Sequence, residues 1–186
     1  MAAKSNLTNM ALVLSATCLI CAAILGCVYA VTAAPIAETN ANIQKAAIAA
    51  VLPEGVEVSE AVPIKVGGED SDYYVGTKDG APVAYAVKST TSGFGGALTL
   101  MVGLTPDGKV YNTSVLSHTE TPGLGAKCTS DPAFTAQWKG FDTGSKILSV
   151  KKDGGDVDAI TASTITSRAY TLAVKNAYEA VKGLAK

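Results

Sequence analysis

Apolar and polar positions divide this chain into one stretch with no polar face and a longer stretch in which the two alternate. Between Lys4 and Glu38 no residue is charged. Within that interval Asn9–Ala34 is apolar around the whole circumference of a helix, with only Ser, Thr, Tyr and one terminal Asn among its polar members. About 20 apolar residues rising ~1.5 Å each cross a ~30 Å hydrocarbon core. Residues 9–34 are therefore predicted as a transmembrane helix, 1–8 as a short tail and 35–186 as one globular domain. Tyr29 falls near the far end, where interfacial rings sit. Pro35 is expected to stop or kink the helix. A secretory signal has an apolar core of about 7–15 residues, shorter than this run. Ile24-Leu25-Gly26-Cys27 has the outline of a lipoprotein box, which would put a lipid on Cys27. The span and the lipidated cysteine both tether the domain to membrane lipid. Lys4 before the span and Glu38 after it favour a cytoplasmic N-terminus and an extracytoplasmic domain at the inner (cytoplasmic) membrane.

Beyond Pro35 the period changes. Ile43, Ala47, Ala50 and Val51 recur at helical spacing behind Thr39, a candidate N-cap, and Leu52-Pro53-Glu54-Gly55 ends that helix. Val56, Val58, Val62, Ile64 and Val66 predict extended chain, and Gly67–Asp72 a turn. Tyr73–Thr77 and Val83–Val87 flank Asp79-Gly80, a hairpin signal. Ala97–Leu104 and Lys109–Leu116 flank Pro106-Asp107-Gly108, a second hairpin, preceded by a tight loop at Gly93-Phe94-Gly95-Gly96. Ser117–Ser145 is loop-rich, and Ile147–Val150 is expected to be a short strand. A closing helix from Thr164 or Thr166 to Leu184 is expected to set Leu172, Ala173, Ala177, Ala180, Val181 and Leu184 on one side. The fold class is α+β: a transmembrane helix, then a twisted antiparallel sheet with flanking helices.

Composition adds exclusions. The net charge is −1 and the basic residues are scattered, so no nucleic-acid surface is expected. The single histidine, His118, argues against a multi-histidine metal site. Cys18, Cys21 and Cys27 lie in the apolar run, where they act as small hydrophobes. Cys128 is alone in the domain, so no disulfide forms within it.

Two segments carry chemistry. In Asp158–Ser167, before the closing helix, six of ten residues are Ser, Thr or Asp. Such residues cap helices without any ligand. The same place also suits an anion, because the first backbone N–H groups of a helix are free and its dipole favours negative charge. The second segment is His118-Thr119-Glu120-Thr121-Pro122-Gly123-Leu124-Gly125. It reads either as an ordinary turn after a strand or as an irregular loop whose glycines let a planar ligand approach.

Together these segments resemble the covalent FMN-binding family shared by the G subunit of Rnf ion-translocating complexes and the C subunit of sodium-translocating NADH:quinone oxidoreductase. Asp158–Ser167 resembles its Asp-x-x-Ser/Thr-Gly-Ala-Thr attachment motif, with Ala162 and Ser163 in place of Gly and Ala. His118–Gly125 matches its His-x-Glu-Thr-Pro-Gly-Leu-Gly signature, and Phe94-Gly95-Gly96 its aromatic-Gly-Gly segment. The resemblance covers nearly the whole chain, and the compact domain favours the Rnf protein.

It implies an electron relay in a ferredoxin:NAD oxidoreductase complex coupled to ion translocation. It also implies FMN joined by a flavin transferase, as a phosphoester, to Thr164. Thr161, Ser163, Thr166 and Ser167 would then hold the phosphate or cap the helix. Glu120, Thr121, Gly123 and Leu124 would line the ring, and His118 would shape the loop. Lys127 and Lys146 would offset negative charge. Implied partners are the other members of the complex, especially its flavin-bearing D subunit. The alternatives are the corresponding quinone-reductase component, or a membrane-tethered flavin-binding or structural module.

Overall fold

The computed structural model describes residues 6–184. Lys4 and most of the expected 1–8 tail lie outside the described residues. The chain forms two compact units, one ending at Asn42 and one beginning at Ile43.

In the first unit the chain is helical from its first described turn. Helix α1 (Leu7–Val51) is the one helix among the described residues long and apolar enough to cross a membrane. Two of its threonines are satisfied within the helix: the Thr17 and Thr32 hydroxyls donate to the carbonyls of Val13 and Val28, each at 2.8 Å. That is the requirement hydrocarbon imposes on a spanning segment. Pro35 does not end the helix as expected; it lies inside it. It removes one i→i−4 bond at a cost of about 3 kcal/mol, but Ala33, Ala34 and Ala37 flank it with the strongest helix former. Thr39 therefore caps nothing. Its hydroxyl donates to the Pro35 carbonyl at 2.8 Å.

In the second unit the end of α1 and six principal strands build a layered α+β domain. The strands are β1 (Glu57–Val58), β2 (Val62–Val66), β3 (Glu69–Lys78), β4 (Ala81–Ser92), β5 (Ala97–Leu104) and β6 (Lys109–His118). Short helices α2 (Lys127–Ser130) and α3 (Pro132–Ala136), the two-residue β7 (Phe141–Asp142) and the closing helix α4 (Thr164–Leu184) follow. The sheet is antiparallel in the order β1-β3-β4-β5-β6-β7, with β2 also paired to β3.

The hairpins follow their turn residues. Asp79 and Gly80 both have positive φ (52° and 79°), as a two-residue primed turn requires. The β2–β3 turn is shorter than expected. Gly67 and Gly68 alone make it, and β3 begins at Glu69.

Alternation on β5 assigns its two faces. Leu98, Leu100, Val102 and Leu104 pack toward α4, joined by Phe134, Trp138 and Tyr170. Met101 packs with Ala47, Ile48, Val51 and Leu52 at the end of α1. Gly103 lets α1 approach, since a Cβ there would overlap the Val51 carbonyl. Helix α4 buries Ala169, Tyr170, Ala173, Val174, Ala177 and Val181. Leu172, expected on that face, is 49% exposed, because Tyr170 turns the stripe toward the aromatic cluster. Leu184 is exposed as well. Ile147–Val150 is not a strand. Only Val150 bridges, to Val157, and a 3-10 turn at Lys151–Asp153 ending on Gly154 (φ 82°) bends the chain away.

Candidate functional site

The β4–β5 connection, the loop after β6 and the approach to α4 are far apart in sequence and meet in space. They enclose a cavity of about 350 Å³, within the range of small-ligand sites. Its lining draws on all three: Phe94; Glu120, Thr121, Leu124 and Gly125; and Ala162 through Thr166.

The Glu120 carboxylate joins them. It is 6% exposed. One oxygen accepts from the Phe94 N–H at 2.8 Å, and the other accepts from the Thr166 hydroxyl at 2.8 Å. The glycines around it are demanded by this arrangement, since a Cβ at Gly93 or Gly125 would overlap the carboxylate and one at Gly95 would overlap the Thr119 carbonyl. His118 ends β6, and its Nδ1 accepts from the Glu120 N–H at 3.2 Å. The histidine thus bends the chain into the loop and does not line the cavity. Gly123 (φ 77°) serves the turn and is also outside the lining.

The approach to α4 is a tight turn, with the Ser163 N–H donating to the Ile160 carbonyl at 3.0 Å. Ala162 inside that turn has φ 61°, the left-handed region that glycine occupies without strain. The first helical backbone bond runs from Ser167 N–H to Ser163 carbonyl, so the N–H groups of Thr164, Ile165 and Thr166 precede it. Thr164 opens the helix half-buried at the cavity edge. Ser163 Oγ is buried with no hydrogen-bond partner. Ser167 is committed internally: its hydroxyl accepts from the Ile160 N–H and donates to the Ser163 carbonyl, each at 2.9 Å. Thr161 is exposed on the turn and outside the lining. Asp158 is paired with Lys151 at 2.7 Å.

The expected lysines are elsewhere. Lys146 Nζ lies 5.0 Å from the Phe141 ring centre, and Lys127 is exposed at the start of α2. No lysine or arginine lines the cavity. The groups able to stabilise an anion here are the N–H groups of the first turn of α4 and the nearby hydroxyls. Sequence reasoning did not name four lining residues as contacts, Gly125 and Ala162 on the backbone turns and the larger Phe94 and Ile165. Phe94 forms a wall and Ile165 a rim. At 69% and 50% exposed they stand with Leu124 (45%) as an apolar rim.

An FMN group fits these residues. Free N–H groups and the unpaired Ser163 hydroxyl suit a phosphate, Thr164 is within the lining, and the apolar rim suits a flat ring. Among the described residues no group of His, Cys, Asp or Glu forms a metal site.

The family described as the FMN-binding domain matches residues 93–179. The chain is 37% identical over 171 residues to the G subunit of the proton-translocating ferredoxin:NAD(+) oxidoreductase complex of Clostridium ljungdahlii, covering 90% of this chain and 88% of that protein. It is 34% identical over 173 residues to the G subunit of the Na(+)-translocating complex of Acetobacterium woodii, covering 84% and 82%. A crystal structure of the C subunit of the Na(+)-translocating NADH-quinone reductase from Parabacteroides distasonis aligns at 25% identity and a TM-score of 0.44, covering 61% of this chain and 60% of that one.

Proposed function

The chain belongs to the G-subunit family of the ion-translocating ferredoxin:NAD(+) oxidoreductase (Rnf) complexes, and we propose on that premise that it is the tethered flavin carrier of such a complex. The observation that carries the reading is the convergence of three sequence-distant segments on one cavity, with Thr164 at its edge. FMN bound there supplies electron transfer. The chain's own groups hold and orient it.

Thr164 Oγ1 would carry the flavin phosphate as a phosphoester, FMN and the hydroxyl together being one water short of the free pair. The N–H groups of Ile165 and Thr166 and the Ser163 hydroxyl would donate to the phosphate oxygens. Phe94, Leu124 and Ile165 would flank the ring and keep water from part of it. A covalent tether holds the cofactor although this rim stays open, so partners reach the ring without loss of flavin. A flavin transferase makes the bond, and the other members of the complex, its D subunit among them, exchange electrons with it. In this reading the apolar run crosses the inner membrane once and the domain lies outside the cytoplasm. The apolar run carries no charged residue of the kind an ion path uses, so the chain relays electrons and leaves translocation to its partners.

Intact mass of the denatured native protein, with peptide mapping, tests this reading. An added mass of FMN less one water on Thr164 is expected. Unmodified protein from membranes with active transferase refutes it.

A further inference from the structure

The outer edge of β6 carries a row of unused backbone hydrogen-bonding groups. β7 covers that edge only at Lys109 and Val110, whereas β5 pairs the other edge as far as His118. Register shifts set Tyr111 and Leu116 out of the ladder and leave Asn112–Val115 as an even stretch between them. Among the described residues, no backbone group of 112–115 is bonded on the outer side. Free edges are ordinarily guarded by lysine, proline or a covering element. Tyr111–Ser117 contains no charge and no proline.

A trough of about 490 Å³ runs along this stretch. Asn112–Val115 form one wall, and Thr129, Pro132 and Ala136 from α2 and α3 stand in the other. Lys139 marks the Asn112 end, because its neighbour Gly140 donates to the Val110 carbonyl at 2.8 Å. It is the only charged residue in the lining, and no acid offsets it. The trough shares no residue with the flavin cavity.

We propose that this trough receives one extended segment of another protein in the membrane complex, which adds to β6 as a strand and sets a carboxylate on Lys139. The proposal rests on reading the chain as one member of a larger complex. Four residues at ~3.3 Å each match the even stretch. Main-chain bonds along the edge supply affinity, and the walls select side chains, as in other strand-addition sites. A second copy fits less well. Its β6 would bring its own α2 and α3 against the wall already there.

Hydrogen exchange of the full chain, purified alone and within the complex, is the test. Outward amides of Asn112–Val115 should exchange at least ~10-fold more slowly in the complex. Ala136→Trp, which fills the trough, and Lys139→Glu, which reverses its charge, should return that exchange to the isolated rate. Flavin mass on Thr164, scored in the same samples, reports that each variant is folded. Equal exchange in the two preparations overturns the proposal, as does wild-type protection in both variants. Protection that appears in the isolated chain together with a dimer mass assigns the edge to a second copy and also overturns it. Loss of flavin mass with edge protection intact would count against the carrier reading alone.

Discussion

Replacing Glu120 tests whether one carboxylate holds the flavin cavity together. Glu120→Ala removes the acceptor for the buried Thr166 hydroxyl and for the part-buried Phe94 N–H. A buried donor left unpaired costs about 1–3 kcal/mol. The Thr166 hydroxyl has no helical carbonyl four residues back to turn to, because Ala162 lies in the left-handed turn before the helix. The Phe94 N–H is only part-buried, so water offsets some of its loss. A loss of about 2–4 kcal/mol is therefore expected. Glu120→Gln keeps an oxygen for Phe94 and offers an N–H to Thr166, whose hydroxyl can accept. Exchanging two charge-assisted bonds for neutral ones should cost only about 1–2 kcal/mol. Urea unfolding of the full chain in detergent reads both variants. Trp138, the only tryptophan and fully buried against Tyr170, is the fluorescent probe. A change below about 0.5 kcal/mol for the alanine variant, or equal losses for the two, would show that Glu120 merely occupies the loop.

Further expectations concern the turn, the tether, the rim and the buried thiol. Ala162→Gly relieves a left-handed residue worth about 1–2 kcal/mol and loses about 0.5–1 kcal/mol to unfolded-chain entropy. A net gain of roughly 0.5–1 kcal/mol should appear in the same unfolding assay, and a net loss would contradict the strain argument. Thr164→Val should abolish covalent flavin, read by mass, while circular dichroism stays that of the wild type. Leu124→Asp should shift the flavin absorption spectrum and potential with attachment retained; an unchanged spectrum removes Leu124 from the ring contacts. Burial, and to a lesser degree the Glu120 charge, push the Cys128 thiol from its ordinary 9.0 up to about 11. Its contribution to stability is thus whole below pH 9 and falls as pH rises through about 11. Urea midpoints from pH 8 to 11 should decline more steeply for the wild type than for Cys128→Ala.

The strands were legible wherever turn chemistry marked their ends. Asp79-Gly80 and Pro106-Asp107-Gly108 locate both central hairpins, and Ser/Thr density locates the start of α4. Reading failed where a tertiary neighbour overrode a local signal. Pro35 reads as a stop, yet the alanines on either side carry the helix through it. Leu172 reads as core, yet the stacking of Tyr170 on Trp138 sets the buried stripe. Ile147–Val150 reads as a strand, yet it finds a partner only at Val157. In the site, the two segments were visible, but the contacts of single residues were not. No one-dimensional pattern says that Ser167 and Thr166 spend their hydroxyls inside the protein, or that Lys146 turns to Phe141.

The staple at Glu120 also sets an order of events. Phe94, Glu120 and Thr166 are held together only in the finished sheet-and-helix packing, so the pocket has no existence in a nascent or partly folded chain. The linear motif around Thr164 is present from synthesis onward, but the cradle beside it is not. Modification that reads the cradle must wait for folding, and a chain that misfolds never presents it. On the proposed attachment, a flavin on Thr164 would certify that the domain beneath it is complete.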